Sequence, residues 1–387
     1  MSDTSEPAVI PISSARSLAL GGTALAPAEA QPERDVATQY AALRSGALLV
    51  DHGARDLWTF RGPKAAETVT GLVTNDVAGL APGLGCYAAA LTAKGRIVAD
   101  VRIFVCEVAN PAAAGTDWLD GVTLVVDVPP RAAEGWGALI RKFVNPRSAP
   151  YRREHERLRA FGIYGVRARN AIADAFGAPP AALAALPTYA HATISVENTR
   201  LLVARVPDLG VDGFLLVGPQ GQHETVWERV RSAVSGVVVG DEDAYTIARI
   251  EAGYPEWGVD IDETTIPQEA NLDDLHAISY TKGCYTGQEV VARIHFRGHV
   301  NRHLRGIAYP PDDPAIPTGA ELADEGGKIV GDVRSSAISP RLGGVAIGMV
   351  RREVPPGATL QARWEGGERG VTVSALPFPG HPHADPA

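Results

Sequence analysis

The sequence predicts an α+β protein that ends in a small all-β unit. Two observations carry this. From about residue 36 to 300, stretches of helical periodicity mix with short apolar or alternating stretches of strand type. From about residue 302 only short strands remain, punctuated by glycines, as in "GGKIVGDVRSSAIS" and "GGVAIGMVRR", the pattern of a small barrel or sandwich. The length of 387 residues allows two or three domains with a substantial core.

Taken in order, residues 1 to about 34 are rich in Ala, Pro, Ser and Glu without periodicity and read as a mobile tail. Ala37, Tyr40, Ala41 and Leu43 give a short amphipathic helix, then "GALLVD" a buried strand. "DLWTFRG" alternates like a strand. "GPKAAETVTGLVTND" follows as a helix with Pro63 at its first turn. "CYAAALTAKGRIVADVRIFVC" reads as a hairpin turning at Lys94-Gly95. Residues 107 to 121 read as a surface loop, "VTLVVDVP" as a buried strand, "AAEGWGALIRKFV" as a helix and 145 to 157 as a connection. From 158 to 240, three strand stretches alternate with helices at "RNAIADAFG" and "HETVWERVRSAV"; "EDAYTIARIEAGYPEWGVDI" is a helix running into a Gly/Pro turn.

Composition excludes several classes. No run approaches the roughly 18 apolar residues of a membrane span. The N-terminus opens with acid and proline, unlike a secretory signal, so a cytoplasmic protein is expected. Cys86, Cys106 and Cys284 are odd in number and far apart, against a disulfide framework or a zinc ribbon. A net charge of -9 gives no general attraction to nucleic acid or acidic lipid; neither a nucleic-acid nor a membrane partner is expected.

The stretch "KGCYTGQEVVAR", 282 to 293, is the strongest candidate for chemistry. Thr286 with Glu289 has capping-box spacing, and Gly298 supplies a stop, so a helix is expected over about 287 to 297. Cys284 would then sit just before a helix N-terminus with Lys282 nearby, both of which favour a thiolate; a small buried turn residue is the plainer alternative. Gly283 and Gly287 would free the backbone. Between Val290 and Tyr309 there is no acidic residue, whereas Arg293, His295, Arg297, His299, Arg302, His303 and Arg305 all fall there. This run suits an anion or simply a solvated helix end. Asp100 lies on an apolar strand, so it is paired internally or faces a pocket; a raised pKa there would suit a nitrogen heterocycle. Arg249 and Glu251 could form a structural pair.

"RIEAGYPEWGVDIDETTIPQEANLDDL" followed by "KGCYTGQEVVARIHFRGHVNRHL" closely resembles the YgfZ family, folate-binding proteins related to the glycine-cleavage T-protein, an aminomethyltransferase. The family hallmark K-G-C-Y-x-G-Q-E is matched by Lys282, Gly283, Cys284, Tyr285, Gly287, Gln288 and Glu289. The resemblance covers about residues 36 to 376. It implies three T-protein-like domains around a central opening: a folate-binding domain from 35–157 plus 241–300, an α+β domain at 158–240 and a β-barrel at 301–376, with tails at 1–34 and 377–387. It implies tetrahydrofolate as cofactor, Cys284 and Lys282 as the functional pair, and Asp100 where the T-protein keeps its folate-facing aspartate. Asn75, Tyr87, Arg249, Glu251, Arg293 and Arg297 are the further expected folate contacts, the two last for its glutamate tail or an acidic partner. The implied role is assembly or repair of iron–sulfur clusters in client enzymes, tRNA-modifying ones included. Within "GVDGF", 210 to 214, Val211 replaces a folate-contacting glutamate, which speaks against aminomethyl transfer, the alternative reading.

Overall fold

The carboxylate of Asp35 accepts from the amides of Ala37 and Thr38 and caps helix α1 (Val36–Ser45). The structure, a computed structural model, describes residues 35–106, 117–311 and 314–380. Strand β1 (Ala47–Asp51) is buried at four of its five residues, the signature of a strand covered on both faces. It is indeed an interior strand, second from one edge of a six-stranded sheet. β1 runs parallel to β11 (Val237–Gly240) and antiparallel to β7 (Leu158–Tyr164). β10 (Gly213–Pro219), β9 (Thr199–Arg205) and β8 (His191–Val196) continue the sheet.

A second sheet has five strands, in the order β3 (Gly85–Leu91), β4 (Ile97–Val105), β5 (Val122–Val128), β2 (Asp56–Arg61) and β6 (Tyr151–Arg153). The expected connection at 145–157 therefore contributes an edge strand. One face of this sheet packs under α2 (Ala65–Thr70) and α3 (Ala133–Phe143), where Val69, Trp136 and Ile140 meet Trp58, Phe60 and Ile103. The other face meets the six-stranded sheet: Leu57, Phe104 and Val125 share one core with Leu48, Tyr164, Leu202 and Ile247, the last from α7 (Glu242–Ala252). Burying each such side chain contributes roughly 1.5–3 kcal/mol. The far face of the six-stranded sheet is covered by α4 (Ala168–Phe176), α5 (Pro180–Ala184) and α6 (His223–Ala233).

The C-terminal unit closes into a six-stranded barrel, as expected. Its strands follow the order β12 (Arg302–Tyr309), β15 (Gly343–Arg351), β14 (Ile329–Ser339), β13 (Glu321–Ala323), β16 (Thr359–Trp364) and β17 (Gly367–Ser374), around Ile307, Leu322, Val333, Val350 and Leu360. Two features fasten it to the rest. Leu304, Ile347 and Met349 share a core with Tyr87, Ile97 and Ile250. Glu251, 1% exposed, accepts hydrogen bonds from Tyr40 (2.7 and 2.8 Å), Ser339 (2.5 Å) and Arg341 (2.9 Å), so one carboxylate joins α1, α7 and the barrel.

Candidate functional site

The cysteine loop is held from beneath by the end of α2. Ser279 and Thr286 donate main-chain hydrogen bonds to the carbonyls of Thr74 (3.0 Å) and Gly71 (3.4 Å). Between them Lys282 turns inward, its ammonium donating to the carbonyls of Thr70 and Val73 (2.5 Å to the latter) and lying 4.5 Å from the Tyr285 ring. A cation is favourable at these helix-end carbonyls. Burial nevertheless brings Lys282 down to about 8, with Asp76 and Cys86 pulling the other way. In this arrangement its hydrogen bonds fix the shape of the loop that carries Cys284.

The capping box also fails to form. Helix α8 (Gln288–Arg297) begins at Gly287, in left-handed conformation (φ 84°), with no side-chain cap. The amide of Tyr285 instead takes the Gln288 Oε1 (3.2 Å), and Glu289 turns to Arg293 (2.6 Å). Gly287 is required twice over, by its φ and because a Cβ would lie 2.6 Å from the Thr92 carbonyl. Gly283, by contrast, has open space and no positive φ. The loop thus rides on the tip of the β3–β4 hairpin, where Val290 packs on Gly95. It presents Cys284 exposed, while Cys86 and Cys106 are buried and both pushed up to about 12 by burial.

The acid-free run is not one patch. Arg293 and Arg297 line an open recess with Cys284 and the exposed Phe296. Arg302 goes to Glu269 (2.9 Å), and His295 stacks on Tyr280 at 3.6 Å between centroids. A helix sorts its residues between solvent and packing with a period of 3.6, which the bare run of cations does not reveal. No group of three metal-ligating side chains occurs among the described residues.

A concave site that contains Asp100 lies elsewhere, in a cavity of about 320 Å³ between the two sheets, α7 and the 254–257 turn. Asp100 and Arg102, two apart on β4, share the face toward it. Tyr87 donates to Asp100 Oδ2 at 2.7 Å, and its ring stacks with Tyr189 at 6.1 Å. Asp100 Oδ1 is buried and has no hydrogen-bond partner among the described residues. Burial pushes this carboxyl above the usual carboxylate range, and the Tyr87 bond only partly offsets it. Arg102 is spent structurally, on Asp127 (3.0 Å) and Asp208 (2.7 Å). Arg249 also lines the cavity, tied to Asp260 at 2.5 Å and to the Tyr254 carbonyl at 2.7 Å. It does not pair with Glu251, and Glu251 does not line the cavity; its oxygens hold the fold together as described above.

A second cavity, of about 670 Å³, adjoins the first across Tyr87, Tyr189 and Tyr254, which line both. Asn75 belongs to its wall, bonded through its amide to the carbonyls of Tyr87 (2.9 Å) and His276 (2.8 Å). Tyr189, Asn271 and His276 take positive φ there (64°, 56° and 54°), the kind of backbone strain that concentrates at binding sites. Arg293 and Arg297 line neither cavity. Sequence reasoning missed Tyr189, Asp208 and Trp257, which lie in turns and acquire a role only through tertiary contact. Val211 packs against the core between the sheets.

Comparison with known proteins agrees with this architecture. Residues 133–279 match the GCVT N-terminal domain and 302–379 the glycine cleavage T-protein C-terminal barrel domain. The tRNA-modifying protein YgfZ of Klebsiella pneumoniae is 30% identical over 248 residues, 64% of this chain and 67% of the relative. The chain belongs to the YgfZ/T-protein family. YgfZ of Serratia proteamaculans is 28% identical over the same shares. An aminomethyltransferase of Ralstonia pickettii is 29% identical over 357 residues, 88% of each chain. The crystal structure of aminomethyltransferase T from Bartonella henselae superposes with a TM-score of 0.76 at 23% identity, over 89% of this chain and 90% of that one, a likeness of fold. In this YgfZ-like protein no described helix is long and apolar enough to cross a membrane.

Proposed function

We propose that this protein is a tetrahydrofolate-binding accessory factor for the assembly or repair of iron–sulfur clusters in client enzymes, tRNA-modifying ones among them, and that the Lys282-Gly283-Cys284 loop is its working surface. The observation that carries the folate part is the unpartnered Asp100 oxygen in a cavity walled by stacked tyrosines. A flat nitrogen heterocycle fits such a wall: the rings give apolar contact and the carboxyl accepts from a ring N–H. Tyr87 would fix the carboxyl and Tyr189 the ring plane. Bound tetrahydrofolate supplies one-carbon units or reducing equivalents.

Cys284 supports the second part by being the exposed thiol of the three. One thiolate does not hold a cluster, which commonly takes four, so client or assembly proteins would provide the other ligands and Cys284 would engage the cluster only while docked. Lys282 would set the loop's shape. The alternative, one-carbon transfer to an amine, draws on the transferase relative; Val211, partly buried against the core, offers no carboxylate for it.

Two measurements test the reading. Calorimetric titration with tetrahydrofolate should show binding that weakens by about tenfold or more in Asp100→Asn; no binding to the wild type would end the folate part. In cells lacking the gene, a cluster-dependent enzyme should recover with the wild type and not with Cys284→Ser. Recovery with both would remove the thiol from the function.

A further inference from the structure

The cavity that holds Asp100 concentrates unmet hydrogen-bonding groups. Eight buried side-chain atoms lack a hydrogen-bond partner among the described residues. Three belong to residues lining this cavity: Asp100 Oδ1, Trp257 Nε1 and Arg249 Nε. Native structures leave few such atoms, and each calls for an explanation. Oδ1 of an ionised carboxyl only accepts, and the other two only donate. Arg249 Nε has Glu256 Oε2 nearby at 3.7 Å, so a ligand that reaches the other two atoms would bring a donor for Asp100 and an acceptor for Trp257. Trp257 is firmly anchored at this wall. It packs partly buried between two cores, and its turn is pinned by a main-chain bond from Gly258 to Ile261 (2.7 Å) and by Glu256, whose amide donates to Asp260 (2.9 Å).

We propose that Trp257 is a specificity residue, donating its indole N–H to the ring carbonyl oxygen of the bound pterin while Asp100 accepts from a ring N–H. The proposal rests on the folate reading above and adds to it a chemical selection. The cavity accepts a 4-oxo pterin, whose lactam carries donor and acceptor together, and rejects a 4-amino one, which presents a donor where Trp257 needs an acceptor. A site built around a hydrogen bond discriminates strongly, because the wrong ligand leaves its buried groups unpaired.

The test compares tetrahydrofolate with tetrahydroaminopterin, in which a 4-amino group replaces the 4-oxo group and the adjacent ring N–H is lost with it, by calorimetric titration of the full-length protein and of Trp257→Phe. The wild type should bind the 4-oxo compound at least about tenfold more tightly. In Trp257→Phe, which keeps an aromatic ring and loses the N–H, affinity for the 4-oxo compound should fall by about tenfold and the preference should shrink. Equal binding of both compounds by the wild type overturns the proposal, and so does an undiminished preference in a folded Trp257→Phe; in either case the folate reading stands. Failure of the wild type to bind either compound removes the folate reading itself.

Discussion

Replacing Glu251 by Ala separates a structural role from a ligand-binding one. The carboxylate is 1% exposed and takes hydrogen bonds from Tyr40, Ser339 and Arg341. Its removal strands two buried hydroxyls, at about 1–3 kcal/mol each. Arg341 is 27% exposed and can turn to water, so it adds little. The sum, about 2–6 kcal/mol, brackets the roughly 3–5 kcal/mol expected when one partner of a buried ion pair is lost. At roughly 2 °C per kcal/mol, the lower end of the range for domains of 150–250 residues and apt for this longer chain of 387, the thermal midpoint should fall by about 4–12 °C, read by circular dichroism or calorimetry. Tetrahydrofolate affinity, measured well below that midpoint, should be unchanged, because Glu251 lines neither cavity. An unchanged midpoint with weakened ligand binding would refute the reasoning and return Glu251 to the binding site.

Three further outcomes are expected. Tyr87→Phe removes the hydrogen bond that lowers the Asp100 pKa, so the inflection in ligand affinity against pH should move to higher pH; an unmoved inflection excludes Asp100 as its source. Lys282 binds its proton less tightly when folded (about 8) than when unfolded (10.5), so the unfolded chain holds the extra proton between those values and the wild type should gain stability over Lys282→Met as pH rises from about 8 to 10.5; denaturant unfolding at a series of pH values checks the sign. Alkylation of the native protein at pH 8 should modify Cys284 first, since Cys86 and Cys106 are buried and pushed up to about 12; prompt labelling of either in peptide mass maps contradicts the fold around them.

The barrel was legible because its strands are short, alternating and closed by glycine turns. The hairpin was legible because Gly95 does take the positive φ (72°) that its place in the turn suggested. The capping box at Thr286 misled because a local spacing rule competes with a tertiary contact: Gly287 must pass within van der Waals reach of the Thr92 carbonyl, and that fixes the helix start. Charges were the hardest to place. Glu251 finds Tyr40 across 211 positions and Ser339 across 88, Arg249 finds Asp260 rather than its neighbour, and Lys282 finds carbonyls more than 200 positions earlier. Main-chain acceptors leave no trace in side-chain patterning, so no sequence signal could have aimed that lysine inward. Asp100 was found because a carboxylate on an apolar strand is itself the anomaly; Trp257, one aromatic in a Gly/Pro turn, was not.

The position of β1 bears on how the chain is made. Residues 47–50 lie between two strands supplied much later, with Val237–Gly240 along one edge. At about 5–20 residues per second of synthesis, that edge waits roughly 10–40 s after β1 leaves the ribosome. During this interval one edge of an apolar strand, Ala-Leu-Leu-Val, lacks its partner, and an open edge invites pairing with other chains. Pairing over so long a separation is also intrinsically slow. Production of this protein should therefore depend on chaperones more than its stability would suggest, and truncations ending before residue 237 should aggregate rather than yield a folded N-terminal half.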